Sequence, residues 1–280
     1  MRQLLRPIGF FAAFAAACVL TAASTAQAVT FQDKNLEAAL RHYILEKRGK
    51  TDELTEDDLK KVFIFEAKGK SIASLAGLEL CPNIQLINIA GNTVADLTPI
   101  KGLANLQSLD ISKNQVADLA PLAELTRLQY IDASDNQISS AAPLAGLISL
   151  MSLDLSGNKI ADIAPLSGLS KLASLHLAGN QIANAEPIGS LTQLSLLKLS
   201  DNPLESIGPL EKLNRLSMLL VERCKIADLA PLVASTQADA AGEKRFAPYL
   251  RLYLAGNPLS EAAKTQQLPA LKAAGVKVHE

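Results

Sequence analysis

Three histidines, His42, His176 and His279, are the only imidazoles in the 280 residues, and they fall near the two ends and in the middle of the chain. A zinc site needs several such ligands converging on one point, and nothing in the spacing brings these together. The same dispersal argues against a Ser-His-Asp arrangement. The acids Asp52, Glu53, Glu56, Asp57 and Asp58 lack the alternating ligands and central glycine of a calcium loop. No glycine-rich loop follows a strand pattern and opens a helix, so a phosphate cradle is not expected. An enzyme built from this chain would need a carboxylate-only site. The expectation is a chain with no catalytic residues, no metal and no cofactor.

The elements that position side chains are set by an internal period. Asn92, Asn114, Asn136, Asn158, Asn180 and Asn202 stand 22 residues apart without a slip, and Cys224 takes the next place. Around Asn114 the apolar positions are Leu106, Leu109, Ile111, Val116, Leu119, Leu122 and Leu125; around Asn158 they are Leu150, Leu153, Leu155, Ile160, Ile163, Leu166 and Leu169. The alternation Leu153, Leu155 places two side chains on one face of a short strand. Successive strands then pair in parallel at ~4.8 Å. Where each strand ends, backbone groups lose their ladder partners, and a stacked Asn amide can both donate to and accept from them. Pro99, Pro121, Pro143, Pro165, Pro187, Pro209 and Pro231 recur on the return limb, which suits a 3₁₀-like back. Asp96, Asp118, Asp162 and Asp228, three residues earlier, are expected to cap it.

The pattern L-x-x-L-x-L-x-x-N-x-I-x-D-L-x-P-L, carried here by Leu106 through Leu122, resembles the internalin-type bacterial leucine-rich repeat, and the resemblance covers roughly residues 30–280. It implies an α/β right-handed leucine-rich-repeat solenoid, an arc with a parallel concave sheet and a helical N-terminal cap. It also implies a protein partner bound on the concave sheet. No cell-wall sorting motif, cell-wall-binding repeat or immunoglobulin-like tail accompanies the repeats, so host-cell adhesion is not implied.

The ends are read as caps, which a solenoid needs to cover its apolar edges. Residues 1–28 read as a secretory signal peptide: Arg2 and Arg6, an apolar stretch from Ile8 to Leu20, then Ala26-Gln27-Ala28 with cleavage after Ala28. A lipoprotein anchored through Cys18 is the alternative. Cleavage leaves 25 basic against 28 acidic side chains, a net −3, too nearly neutral for bulk attraction to nucleic acid. No later stretch is long enough for a membrane span. Residues 29–61 form the helical cap, with an amphipathic helix from Asp33 to Arg48 and a Thr55-x-x-Asp58 capping box opening a second. Residues 62–257 hold about nine turns, the first degenerate with Lys70 in the Asn position. Asn257 comes 33 residues after Cys224, an eleven-residue insertion near 235–247 that reads as a bulged loop, a short helix or a partner contact. Residues 258–280 close the solenoid. Cys81 and Cys224, roughly 30 Å apart at ~4.8 Å per turn, are too distant for a disulfide.

The concave face is the candidate site, secreted or periplasmic and carried by a monomer. One column contains Asp110, Asp132 and Asp154, whose mutual repulsion favours a cationic partner. Leu196, Lys198, Met218, Leu220, Glu222, Arg251 and Tyr253 form an apolar and charged patch of interface composition, with Tyr130 as an isolated anchor. A structural envelope spacer and a regulator or inhibitor of a partner enzyme are the competing readings.

Overall fold

The computed structural model describes residues 28–242 and 246–280. Residues 1–27, on which Cys18 and all but the last residue of the expected signal peptide fall, lie outside the described residues. Ten three-residue strands make one parallel sheet in strict sequence order: β1 (Ile64–Glu66), β2 (Leu86–Asn88), β3 (Ser108–Asp110), β4 (Tyr130–Asp132), β5 (Ser152–Asp154), β6 (Ser174–His176), β7 (Leu196–Lys198), β8 (Met218–Leu220), β9 (Arg251–Tyr253) and β10 (Lys277–His279). The register follows the repeat: Ser152 pairs with Ser174, and Asp154 with His176. This is the right-handed leucine-rich-repeat coil.

In each repeat the central residue of the strand and the residue just past its end point inward, as Leu153 and Leu155 do at β5. In the turn around Asn114 all seven apolar positions are at most 1% exposed. A fully buried leucine or isoleucine contributes about 1.5–3 kcal/mol through the water it sheds. The columns are therefore the main source of cohesion. On the return limb each proline from Pro99 to Pro209 occupies the second residue of a 3₁₀ turn, as in Ala120–Leu122 and Ala142–Leu144. Asp118 Oδ1 accepts from Ala120 N–H at 2.8 Å, and Asp96, Asp162 and Asp228 do the same in their turns.

The asparagines run as a ladder through the inward bend. Asn158 Nδ2 donates to the carbonyls of Ala133, Leu155 and Ser156 at 3.0, 2.9 and 3.2 Å, and its Oδ1 accepts from Ile138 N–H at 3.0 Å. Asn114, Asn136, Asn180 and Asn202 repeat the pattern. Asn92 Oδ1 accepts from the backbone N–H groups of both Lys70 and Ile72, so the first turn is held although the Lys70 side chain has no amide to offer. Cys224 fills the next place with weaker bonds, its thiol donating to Leu199 O at 3.4 Å. The residue before each ladder position has a left-handed backbone; glycine at 91, 157 and 179 adopts it freely, whereas Lys113, Asp135, Asp201 and Arg223 adopt it under strain.

The cap differs from the sequence expectation. A single helix from Asp33 to Arg48 does not form: α1 spans Lys34–Tyr43, Ile44 turns extended, and a 3₁₀ turn follows over Leu45–Lys47. The break lets Ile44 drop into the core beside Leu36 and Leu40 while Tyr43 reaches the sheet. The Tyr43 hydroxyl donates to Glu66 O at 2.9 Å and accepts from Glu66 N–H at 3.1 Å, so it closes the free edge of β1. The short helix α2 (Glu56–Leu59) opens with the reciprocal Thr55/Asp58 capping box.

After Pro231 the return limb continues as α3 (Ala230–Ala241) instead of a 3₁₀ turn. Eleven residues are close to three α-helical turns at 3.6 residues per turn. A chain lengthened by that amount leaves the helix facing the way it entered, so β9 pairs with β8 in register. Asp239 then accepts from the amides of Phe246 and Ala247 at 3.1 and 2.9 Å. Beyond β9, a π-turn over Ala263–Gln267 and α4 (Leu268–Ala273) cover the last core layer before β10.

Candidate functional site on the concave sheet

Strand alternation sends two side chains per strand onto the concave face. The first column runs Ile64, Leu86, Ser108, Tyr130, Ser152, Ser174, Leu196, Met218, Arg251 and Lys277; the second runs Glu66, Asn88, Asp110, Asp132, Asp154, His176, Lys198, Leu220, Tyr253 and His279. The two outermost strands thus extend both columns. Their residues Ile64, Glu66, Lys277 and His279 were missed at the sequence level, because the Asn ladder that marks the columns is absent in those turns.

Much of the acidic column is occupied locally. Asp110 Oδ1 accepts from Ser112 N–H and Oγ–H at 3.0 and 2.7 Å, and Asp132 does the same with Ser134 at 3.0 and 2.6 Å. One oxygen of each carboxylate therefore fixes the strand exit. Asp154 differs. Its Oδ1 accepts from Ser156 N–H at 2.8 Å, while Oδ2 lies 2.8 Å from His176 Nδ1, and His176 Nε2 lies 3.0 Å from Ser174 Oγ. An ionised carboxylate can only accept, so Nδ1 carries the proton, and in the neutral ring Nε2 accepts from the serine hydroxyl. Burial pushes the Asp154 carboxyl up, but the hydrogen bonds from His176 and Ser156 outweigh it and hold it below its ordinary value. Asp154 and His176 sit at one end of a shallow hollow of about 230 Å³, with Tyr130, Asp132 and Ser152 along it, and Ser174 is next to Ser152 in the sheet register. A wider groove of about 970 Å³ follows the edge where the chain enters the strands, lined by Met151, Lys171, Gln193, Arg215 and Asp239.

Comparison with known proteins fits this geometry. The family model for leucine-rich repeats in two copies matches residues 82–124, 104–146, 126–168 and 148–192. Among solved structures, an internalin (InlF) from Listeria monocytogenes is 26% identical, with 89% of this chain and 75% of that one covered and a TM-score of 0.70. Internalin C2 (InlC2) from the same organism is 29% identical over 70% of this chain and 94% of its own, with a TM-score of 0.56. The chain is a leucine-rich-repeat solenoid similar to internalins. A leucine-rich-repeat protein of Leptospira interrogans, 17% identical, shares the fold over 80% of this chain and 62% of its own length, with a TM-score of 0.60. No curated protein matches the chain. Repeats of the internalin type typically bind proteins and are generally not enzymes. Among the described residues no helix is long and apolar enough to cross a membrane.

In this solenoid Leu196, Lys198, Met218, Leu220, Glu222 and Tyr253 are half-buried rather than exposed, because neighbouring strands shade one another. Tyr253 stacks on His279 with ring centroids 4.3 Å apart. Arg251 is exposed, and Tyr130 is 47% exposed with its hydroxyl 4.0 Å from Met151 Sδ. The structure brings Asp110, Asp132 and Asp154 together with Tyr130, and Lys198 with Leu220 and Tyr253. One exclusion is corrected: a Ser-His-Asp hydrogen-bonded chain does form. It needs one histidine, not a cluster, and the 22-residue register supplies its carboxylate.

Proposed function

We propose that the chain is an exported protein-binding module that engages its partner through the concave sheet, chiefly along β7 to β9. The observation that carries this reading is the set of unsatisfied charges there. Among the described residues the side chains of Lys198, Glu222 and Arg251 make no ion pair and no hydrogen bond within the chain, beside the apolar surfaces of Leu196, Met218 and Leu220. Apolar side chains with Tyr and Arg are the usual energetic anchors of an interface. The acidic half of the second column, from Glu66 to Asp154, adds a field that favours a partner with a basic flank. The partner identified by crosslinking in the native compartment should be lost when Met218, Leu220 and Tyr253 are changed together to Asp. Retention of that partner by the triple variant would refute the surface, and no capture at all would favour a spacer.

A further inference from the structure

Protein binding makes no use of the hydrogen-bonded chain from Ser174 through His176 to Asp154. We propose that this chain is a hydrolytic site, in which Ser174 acts as the nucleophile toward small carboxylic esters reaching the concave hollow. Ser174 and His176 alternate on β6, so both point outward, and parallel pairing sets Asp154 beside His176. Asp154 spends one oxygen on Ser156 N–H and aims the other at Nδ1, the connectivity by which a buried carboxylate orients an imidazole toward a serine hydroxyl. The side chains of His176 and Asp154 are 19% and 26% exposed, open to a small molecule yet largely removed from water.

The neighbours supply what else the reaction requires. Ser152 lies beside Ser174 in register and Lys198 beside His176, and neither hydroxyl nor ammonium has a partner among the described residues. These are the free donors for a developing oxyanion, since the backbone amide of Ser174 is already spent on Met151 O. Leu196, beside Ser174 on the other side, gives a short acyl chain an apolar wall. In the reaction Ser174 Oγ bonds to the ester carbonyl carbon while its proton passes to His176 Nε2. The carbon–oxygen bond to the alcohol breaks, and the departing oxygen takes that proton. Water then attacks the acyl-serine, yields its proton to Nε2, and Ser174 recovers it on release, so one ester and one water become one acid and one alcohol.

The test labels the full chain with a fluorophosphonate, maps the adduct by peptide mass, and follows p-nitrophenyl acetate hydrolysis in parallel; neither readout requires the protein partner. Ser174 should label well ahead of Ser152 in the same molecules, and hydrolysis should vanish in Ser174→Ala. His176→Gln should slow both by about 10²–10⁴-fold, the usual contribution of a general base. Asp154→Asn should slow labelling and alter its pH profile, which loss of a merely structural contact would leave alone. Labelling of Ser174 no faster than Ser152, or unchanged in His176→Gln, overturns the proposal.

Discussion

Replacing Asn158 by Ala separates the bonds of the ladder that are shared from the one that is not. Its three carbonyl acceptors each keep a second donor: Ala133 O retains Asn136 Nδ2 at 3.1 Å, Leu155 O retains Asn180 Nδ2 at 2.9 Å, and Ser156 O retains Asp135 N–H at 2.8 Å. Ile138 N–H has no such reserve, since Asn158 Oδ1 is its one acceptor. A buried donor left without a partner costs about 1–3 kcal/mol, and three weakened acceptors add about 0.5 kcal/mol each at most. The sum is about 1–4.5 kcal/mol, which for a protein of this length is a fall of about 2–18 °C in Tm. Urea unfolding at unchanged m measures it directly. A loss under about 0.5 kcal/mol would refute the accounting, because it would mean that water or a backbone shift satisfies Ile138. The natural chain contains the reciprocal experiment. At Cys224 the sulfur replaces the amide, and the bond that Ile182 makes to Asn202 has no counterpart at Leu204. Cys224→Asn should therefore stabilise by about 1 kcal/mol.

Other outcomes follow from single sites. Burial raises the Asp33 carboxyl, but bonds from the amides of Ala73, Leu36, Ser74 and Asn35 prevail and lower it. The stability this adds is complete above the unfolded value near pH 4 and is lost as pH falls through the depressed folded value. Amide resonances of Ala73 and Ser74 should titrate in that acid range, and Asp33→Asn should abolish the titration. Cys81, whose thiol burial pushes up to about 12, and Cys224, also raised by burial, should resist a disulfide reagent until the chain unfolds, as read by peptide mapping. Lys113→Gly should add about 0.5–1 kcal/mol by relieving a left-handed backbone at φ 55, and a loss of stability in the same unfolding assay would contradict that assignment of strain.

The fold was legible because one number, 22, governs both the burial of leucines and the stacking of asparagines. Any period error would have turned a column outward, so the agreement of seven apolar positions per turn left little freedom. The cap was less legible. An amphipathic pattern from Asp33 to Arg48 cannot show that Tyr43 has a backbone edge to close, and that tertiary demand overrode the helical period at Ile44. The eleven-residue insertion left loop and helix equally open, because composition alone does not reveal that its length matches three helical turns.

The concave site shows the same division between periodic and tertiary information. Its columns can be counted from the sequence, including the 22 residues from Asp154 to His176 and the two from Ser174 to His176. What counting does not deliver is which neighbours exchange hydrogen bonds. Asp110 and Asp132 occupy the same column as Asp154, yet they bond only to the serines two residues on. The difference is the residue one turn further along. Asp110 faces Asp132, which repels it, whereas Asp154 faces an imidazole that can donate. One substitution in an otherwise uniform column therefore turns a stack of separate strand-end bonds into a connected chain. In a solenoid, where neighbours are fixed by the period, chemistry arises at the places where adjacent repeats stop being alike.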